Sequence, residues 1–152
     1  VKITSNQLAL KAGSTTITTS LVEGHFPKYQ DVLPMDCDRS VRLATAEFLS
    51  ALKMAALLTN EESKGVRLSF SEGNLTLSTR APEQGEATIS LPIEYRGEAI
   101  DIGFNPLFLT DVLRVTDTEE VTFAFKEPNR PGVIRLSDDF VHVVMPVNLS
   151  SA

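Results

Sequence analysis

One cysteine and no tryptophan stand among the 152 residues of this chain. The lone thiol, Cys37, excludes an intrachain disulfide, and such sparing use of cysteine suits a reducing compartment. No apolar run approaches the roughly 20 residues that cross a bilayer, and no signal-peptide pattern opens the chain. Positive charge is also scarce. Fourteen Lys and Arg face 20 Asp and Glu, for a formal net charge of −6. Proteins that grip nucleic acid through its phosphates are normally basic, so tight, direct nucleic-acid binding is disfavoured. There is no glycine-rich phosphate loop. The two histidines, His25 and His142, lie far apart in sequence and in no metal-ligand spacing. No metal or other cofactor is expected.

What is present is an ordinary globular composition, 42% apolar and 22% charged. The length fits one domain and a little more, and it can bury about two-thirds of the unfolded surface without staples. The chain begins at Val1 and runs directly into strand-like sequence, which reads as a piece of something longer. Val1–Ile3, Gln7–Lys11 and Thr15–Val22 are expected strands, separated by turns at Ser5-Asn6 and Gly13-Ser14. They cannot close a core alone. Two prolines and a glycine between Glu23 and Asp36, with no sustained period, mark a linker.

Beyond it, Ser40–Ala44 is an expected strand, and Thr45 is the expected N-cap of a helix from Ala46 to about Leu58. Phe48, Leu49, Leu52, Ala55 and Ala56 give that helix one apolar stripe. Gly65–Ser71 and Asn74–Arg80 alternate around Glu72-Gly73 as a hairpin, and Glu86–Leu91 follows as a further strand. The pattern then recurs. Ala99–Phe104 is a strand, and Asn105-Pro106 starts a helix that runs to about Val115. Leu107, Phe108, Val112 and the neighbouring leucines are its expected apolar face. Glu120–Lys126, Gly132–Ser137 and Phe140–Pro146 are three more strands. The pairs Phe48-Leu49 and Phe108-Leu109 each open a helix after a strand, 60 positions apart (48 to 108). This implies a β-α-β-β-β unit occurring twice in one α+β domain, two helices packed on antiparallel sheet.

Four motifs then carry a resemblance. They are Leu21 to Tyr29 with Val32-Leu33-Pro34, the run Ile102-Gly103-Phe104-Asn105 followed by Leu113, the Pro-Asn-Arg-Pro turn within Asp117–Ile134, and Val144-Met145-Pro146-Val147-Asn148-Leu149. In a single register along the chain, these resemble the bacterial DNA polymerase III beta subunit, the sliding clamp. The resemblance implies a remnant of the clamp's middle domain over 1–26, an interdomain linker over 27–33 and the third domain over 34–152. It implies a cytoplasmic, non-catalytic processivity factor that forms a homodimeric ring around duplex DNA in its full length. Its expected partners are a DNA polymerase, the clamp loader and repair proteins, each presenting a short Leu- and Phe-bearing motif.

Carried over by position, the peptide-binding pocket would be lined by Pro27, Asp31, Val32, Ser63, Asn105, Phe108, Arg130, Gly132, Val144, Met145, Pro146, Val147 and Leu149. Asp31 and Asn148 stand where many members carry a basic residue, and Ser63 where some carry a bulkier apolar one. Leu57, Leu58, Glu83 and Glu86 correspond to ring-interface positions, and Lys53 and Arg114 would face DNA. Adjacent residues of a helix cannot both point straight into a core, so one of Leu57 and Leu58 is expected at the surface. Two other readings remain. One is a small hydrolase using Asp138, Asp139 and His142, although those residues also suit a hairpin turn; the other is a stand-alone interaction domain.

Overall fold

A computed structural model describes all of the chain except residues 26, 27, 29, 31, 32, 35, 60–64, 82–84, 138, 139 and 150–152. It divides into two compact units, Val1–Leu33 and Pro34–Ala152. The first holds β1 (Lys2–Ile3), β2 (Gln7–Ala12) and β3 (Thr15–Ser20) in an antiparallel meander. The turn that pairs Ala12 with Thr15 places Gly13 at φ +60, a left-handed conformation suited to glycine. None of the residues of β1 to β3 is fully buried, so these strands close no core of their own.

The second unit runs β4 (Arg39–Ala44), α1 (Thr45–Ala56), β5 (Val66–Ser71), β6 (Asn74–Ala81) and β7 (Gly85–Pro92). It then repeats itself as β8 (Ile100–Phe104), α2 (Pro106–Arg114), β9 (Glu120–Phe125), β10 (Gly132–Ser137) and β11 (Phe140–Val144). The duplication read from the sequence is present, in an interlocked form. One sheet has the order β7-β6-β5-β8 and the other β11-β10-β9-β4, both antiparallel. Each half therefore lends its first strand to the other half's sheet. The registers agree: Val66 faces Phe104 as Val121 faces Leu43, and Leu68 faces Ile102 as Phe123 faces Val41.

Alternation sets the core. In β5, Val66, Leu68 and Phe70 turn inward, as do Val121, Phe123 and Phe125 in β9. Phe70 and Tyr95 gather with Phe123 and Phe125, while Phe104 meets Phe123 edge-on at 5.6 Å. This aromatic cluster joins the two sheets. The helices pack on one another, and α1 also lies against β6 and β7.

Three expectations need correction. Thr45 is not the N-cap of α1; Ala44 is, in extended conformation and without a capping side chain. The Thr45 N–H is already engaged with the Glu119 carbonyl at 2.9 Å, and its own Oγ1 is buried without a partner. The repeat is offset by 61 positions at the helices (Thr45 to Pro106), not 60. Phe48 thus corresponds to Leu109, and Ala51 and Leu52 to Val112 and Leu113. Consequently Leu107 and Phe108 do not supply the apolar face of α2. With Leu109, Val112 and Leu113 directed inward, about 100° per residue turns the two preceding positions out, and they are 58% and 55% exposed. The second start signal is as expected: Asn105 Oδ1 accepts from the Leu107 N–H at 3.0 Å, with Pro106 opening the helix.

Candidate partner-binding site

The seam between the sheets is built where β11 ends. Within its own sheet, β11 sets Val144 directly opposite Gly132 of β10. Its continuation then leaves that sheet. Pro146 forms a bridge with Phe104 of β8, and the Val147 N–H donates to the Gly103 carbonyl at 2.9 Å. The free edge of β8 is thereby covered by the C-terminal segment. Asn105, next to Phe104, caps α2 at the same place. The sequence-derived positions Asn105, Gly132, Val144, Met145, Pro146 and Val147 are thus brought to one junction by β8, β10 and β11, while Phe108 lies in the first turn of the α2 helix that Asn105 caps.

Burial divides them into frame and surface. Gly132 and Val144 are buried, whereas Phe108 is 55% and Met145 62% exposed. Gly132 has to be small: a Cβ there would lie 2.8 Å from the Phe123 ring and 2.9 Å from Phe104 Cζ. An exposed aromatic and an exposed methionine beside a firm strand end suit reversible capture of apolar side chains. Pro27, Asp31, Val32 and Ser63 lie outside the described residues.

Arg130 sits in the turn before β10. Its guanidinium lies 3.6 Å from Asp36 Oδ2, and the Lys126 ammonium donates to that same oxygen at 3.0 Å. The hydrogen bond and charge of Lys126 hold the Asp36 carboxyl below its ordinary range, and the reciprocal bond raises the Lys126 pKa. Asp36 so fastens both ends of the β9–β10 loop to the start of the unit. Sequence reading did not find this clasp, because its charges lie 90 positions apart (36 to 126) and no periodicity links them. It named Gly103 only as part of the Ile102–Asn105 motif and not among the site residues, although a glycine inside a strand signals close backbone approach.

The helix α1 ends at Ala56, short of the expected Leu58; Leu57, its C-cap, is 78% exposed while Leu58 is partly buried, so one of the pair is at the surface. Glu86 is exposed on β7, an edge strand, directly opposite Arg80. Glu83 lies outside the described residues. Lys53 and Arg114 line one open groove of about 640 Å³ between α1 and the end of α2, but Asp117 and Glu119 line it too. Arg114 also reaches Asp111 at 3.9 Å. The groove is therefore of mixed charge.

His142 is partly buried in β11 with its Nε2 unpartnered, and Asp138 and Asp139 lie outside the described residues. Cys37 is a free, partly buried thiol, and burial pushes its pKa up. Among the described residues no helix is long and apolar enough to cross a membrane, and no cluster of His, Cys, Asp and Glu could hold a metal ion.

Known proteins share this fold. The family model described as DNA polymerase III beta subunit, C-terminal domain, matches residues 30–148. The beta sliding clamp of Chlamydia muridarum is 36% identical over 143 residues, spanning 94% of this chain and 39% of that protein. That of Pseudomonas aeruginosa is 39% identical over 139 residues, spanning 90% and 38%. A sliding clamp from Bartonella birtlesii, crystallised with griselimycin, superposes with a TM-score of 0.83 at 30% identity, covering 96% of this chain and 40% of its own. The crystallised P. aeruginosa clamp gives 0.81 at 36%, covering 97% and 41%. The chain spans about two-fifths of the length of the curated relatives it matches.

Proposed function

The chain belongs to the family of the DNA polymerase III beta subunit, through that subunit's C-terminal domain, and on this footing we propose that it is the third-domain share of a sliding clamp. Residues 34–152 form the domain, 27–33 the linker and 1–26 the remnant of a middle domain. Its work is non-catalytic. A ring closed in part by Leu57 and its neighbours encircles duplex DNA, which Lys53 and Arg114 touch only weakly. Polymerase, clamp loader and repair proteins are tethered at the junction described above. The observation that supports this reading is the Pro146–Phe104 bridge, which brings exposed Met145 to the end of β8, where Asn105 caps α2 and the first turn of that helix exposes Phe108.

Two or three partner side chains, each contributing about 2–3 kcal/mol less the cost of ordering a peptide, give a dissociation constant of roughly micromolar order. A fluorescein-labelled hexapeptide ending in Leu-Phe, titrated by fluorescence polarisation, tests this. Griselimycin, with which the B. birtlesii clamp was crystallised, serves as a second probe. Saturable peptide binding weakened by Phe108→Ser supports the pocket. No binding to this chain under conditions where the full-length P. aeruginosa clamp binds would refute it. The chain is expected to bind more weakly than that full-length clamp.

A further inference from the structure

We infer that Gly65 and Gly103 form a notch that receives Leu149, and that this anchor positions the C-terminal wall of the peptide pocket. The inference rests on the pocket reading above and assigns Leu149 the role of holding the wall in place. Gly103 lies in β8 between the inward-facing Ile102 and Phe104, so a side chain there would point to the outer face of its sheet. That space is taken. A Cβ at Gly103 would sit 2.5 Å from Leu149 Cγ, 2.6 Å from the Val147 carbonyl oxygen and 2.9 Å from Leu149 Cδ1. Gly65 immediately precedes Val66 of β5, the residue paired with Phe104. A Cβ at Gly65 would meet Leu149 Cδ2 at 2.5 Å and Val147 Cγ2 at 3.0 Å. Two glycines on adjacent strands thus clear space for one leucine.

The need for an anchor follows from how little else holds the segment. Beyond β11, the described backbone pairing is the Phe104–Pro146 bridge and the single bond from the Val147 N–H to the Gly103 carbonyl. A segment held so lightly frays unless a side chain ties it down. Glycine within a strand weakens it, so Gly103 inside β8 is costly unless close approach requires it. With Leu149 seated, Val147 is kept on the edge of β8 and Pro146 on its bridge to Phe104, so Met145 is fixed between that bridge and the end of β11. Gly65, Gly103 and Leu149 are therefore positioning residues for the pocket.

The test uses the whole chain with Leu149→Ala, Leu149→Met and Gly103→Ala, read in two ways. Amide hydrogen exchange of Val147, with Phe123 as an internal control, reports the anchor, and polarisation of the labelled Leu-Phe hexapeptide reports the pocket. Leu149→Ala and Gly103→Ala should speed Val147 exchange and weaken the peptide by at least about tenfold each, with Phe123 unchanged; Leu149→Met should restore most of both. Should Gly103→Ala fail to fold, the Leu149 pair decides alone, since that side chain lies at the surface end of the segment. Unchanged Val147 exchange in Leu149→Ala overturns the anchor. Faster exchange with unchanged peptide affinity overturns its role in the pocket. A wild-type chain that binds no peptide refutes the pocket reading, and the pocket role of the anchor with it, while the exchange data still decide whether the notch holds the tail.

Discussion

Phe70 and Phe125 hold equivalent places in the two halves of the domain and stack on each other with ring centroids 4.2 Å apart. Each also contacts Phe123 and Tyr95, so the pair lies at the centre of the cluster that joins the sheets. Phe70→Ala and Phe125→Ala should each cost about 3–5 kcal/mol. Their double-mutant cycle should show about 0.5–1.5 kcal/mol of coupling beyond burial. Urea denaturation of the four chains measures this, and strict additivity would show that the stacking has no energetic content.

The two helix starts predict opposite signs. Asn105 caps α2 through its side chain, so Asn105→Ala should destabilise by about 0.5–2 kcal/mol. Thr45 keeps a buried hydroxyl without a partner among the described residues. Thr45→Val preserves the shape and removes the orphaned group, so the unfolding midpoint should rise, by about 1 kcal/mol in stability. A loss of stability on Thr45→Val would mean that a water or another group serves that hydroxyl.

Most of the architecture could be read from alternation and punctuation. The Glu72-Gly73 hairpin, the Asn105-Pro106 start and the paired β-α-β-β-β units are local signals, and each lies where the residues put it. The exchange of first strands between halves was not legible, because antiparallel pairing of β4 with β9 leaves no mark in either strand alone. The inward face of α2 was misread for a related reason. Leu107, Phe108 and Leu109 are all apolar, and only the phase set by Val112 and Leu113 selects among them. At the candidate site, the motifs named the residues of the junction. Its supports, the glycine notch and the Asp36 clasp, depend on atoms from distant segments and became visible only in three dimensions.

The Asp36 clasp makes the β9–β10 loop sensitive to pH at both extremes. The folded carboxyl titrates below its ordinary value of 3.8, so its contribution is present above that value and is lost as pH falls through the depressed one. The Lys126 amine titrates above its ordinary 10.5, so its contribution is present below that value and is lost as pH rises through the raised one. Between these limits the loop stays fastened. An NMR titration of the Asp36 carboxyl should give a depressed midpoint that moves up in Lys126→Met. Arg130→Met should move it less, since the Arg130 guanidinium stands 3.6 Å from the oxygen to which Lys126 donates at 3.0 Å. A midpoint unaffected by Lys126→Met would break the assignment.

Leu57 and Leu52 separate surface from core within one helical segment. Leu52 is fully buried on α1, so Leu52→Ala should cost about 2–5 kcal/mol. Leu57, at 78% exposure just past the last turn, has little packing to lose, and Leu57→Ser should leave stability within about 0.5 kcal/mol of the unaltered chain. The two changes should differ in the reverse sense for association. If Leu57 belongs to the proposed ring-closing edge, the isolated chain should self-associate through it as its concentration rises. Leu57→Ser should weaken that association in sedimentation equilibrium without moving the urea midpoint. Association that persists unchanged in Leu57→Ser would place the sticky surface elsewhere and remove Leu57 from the proposed interface.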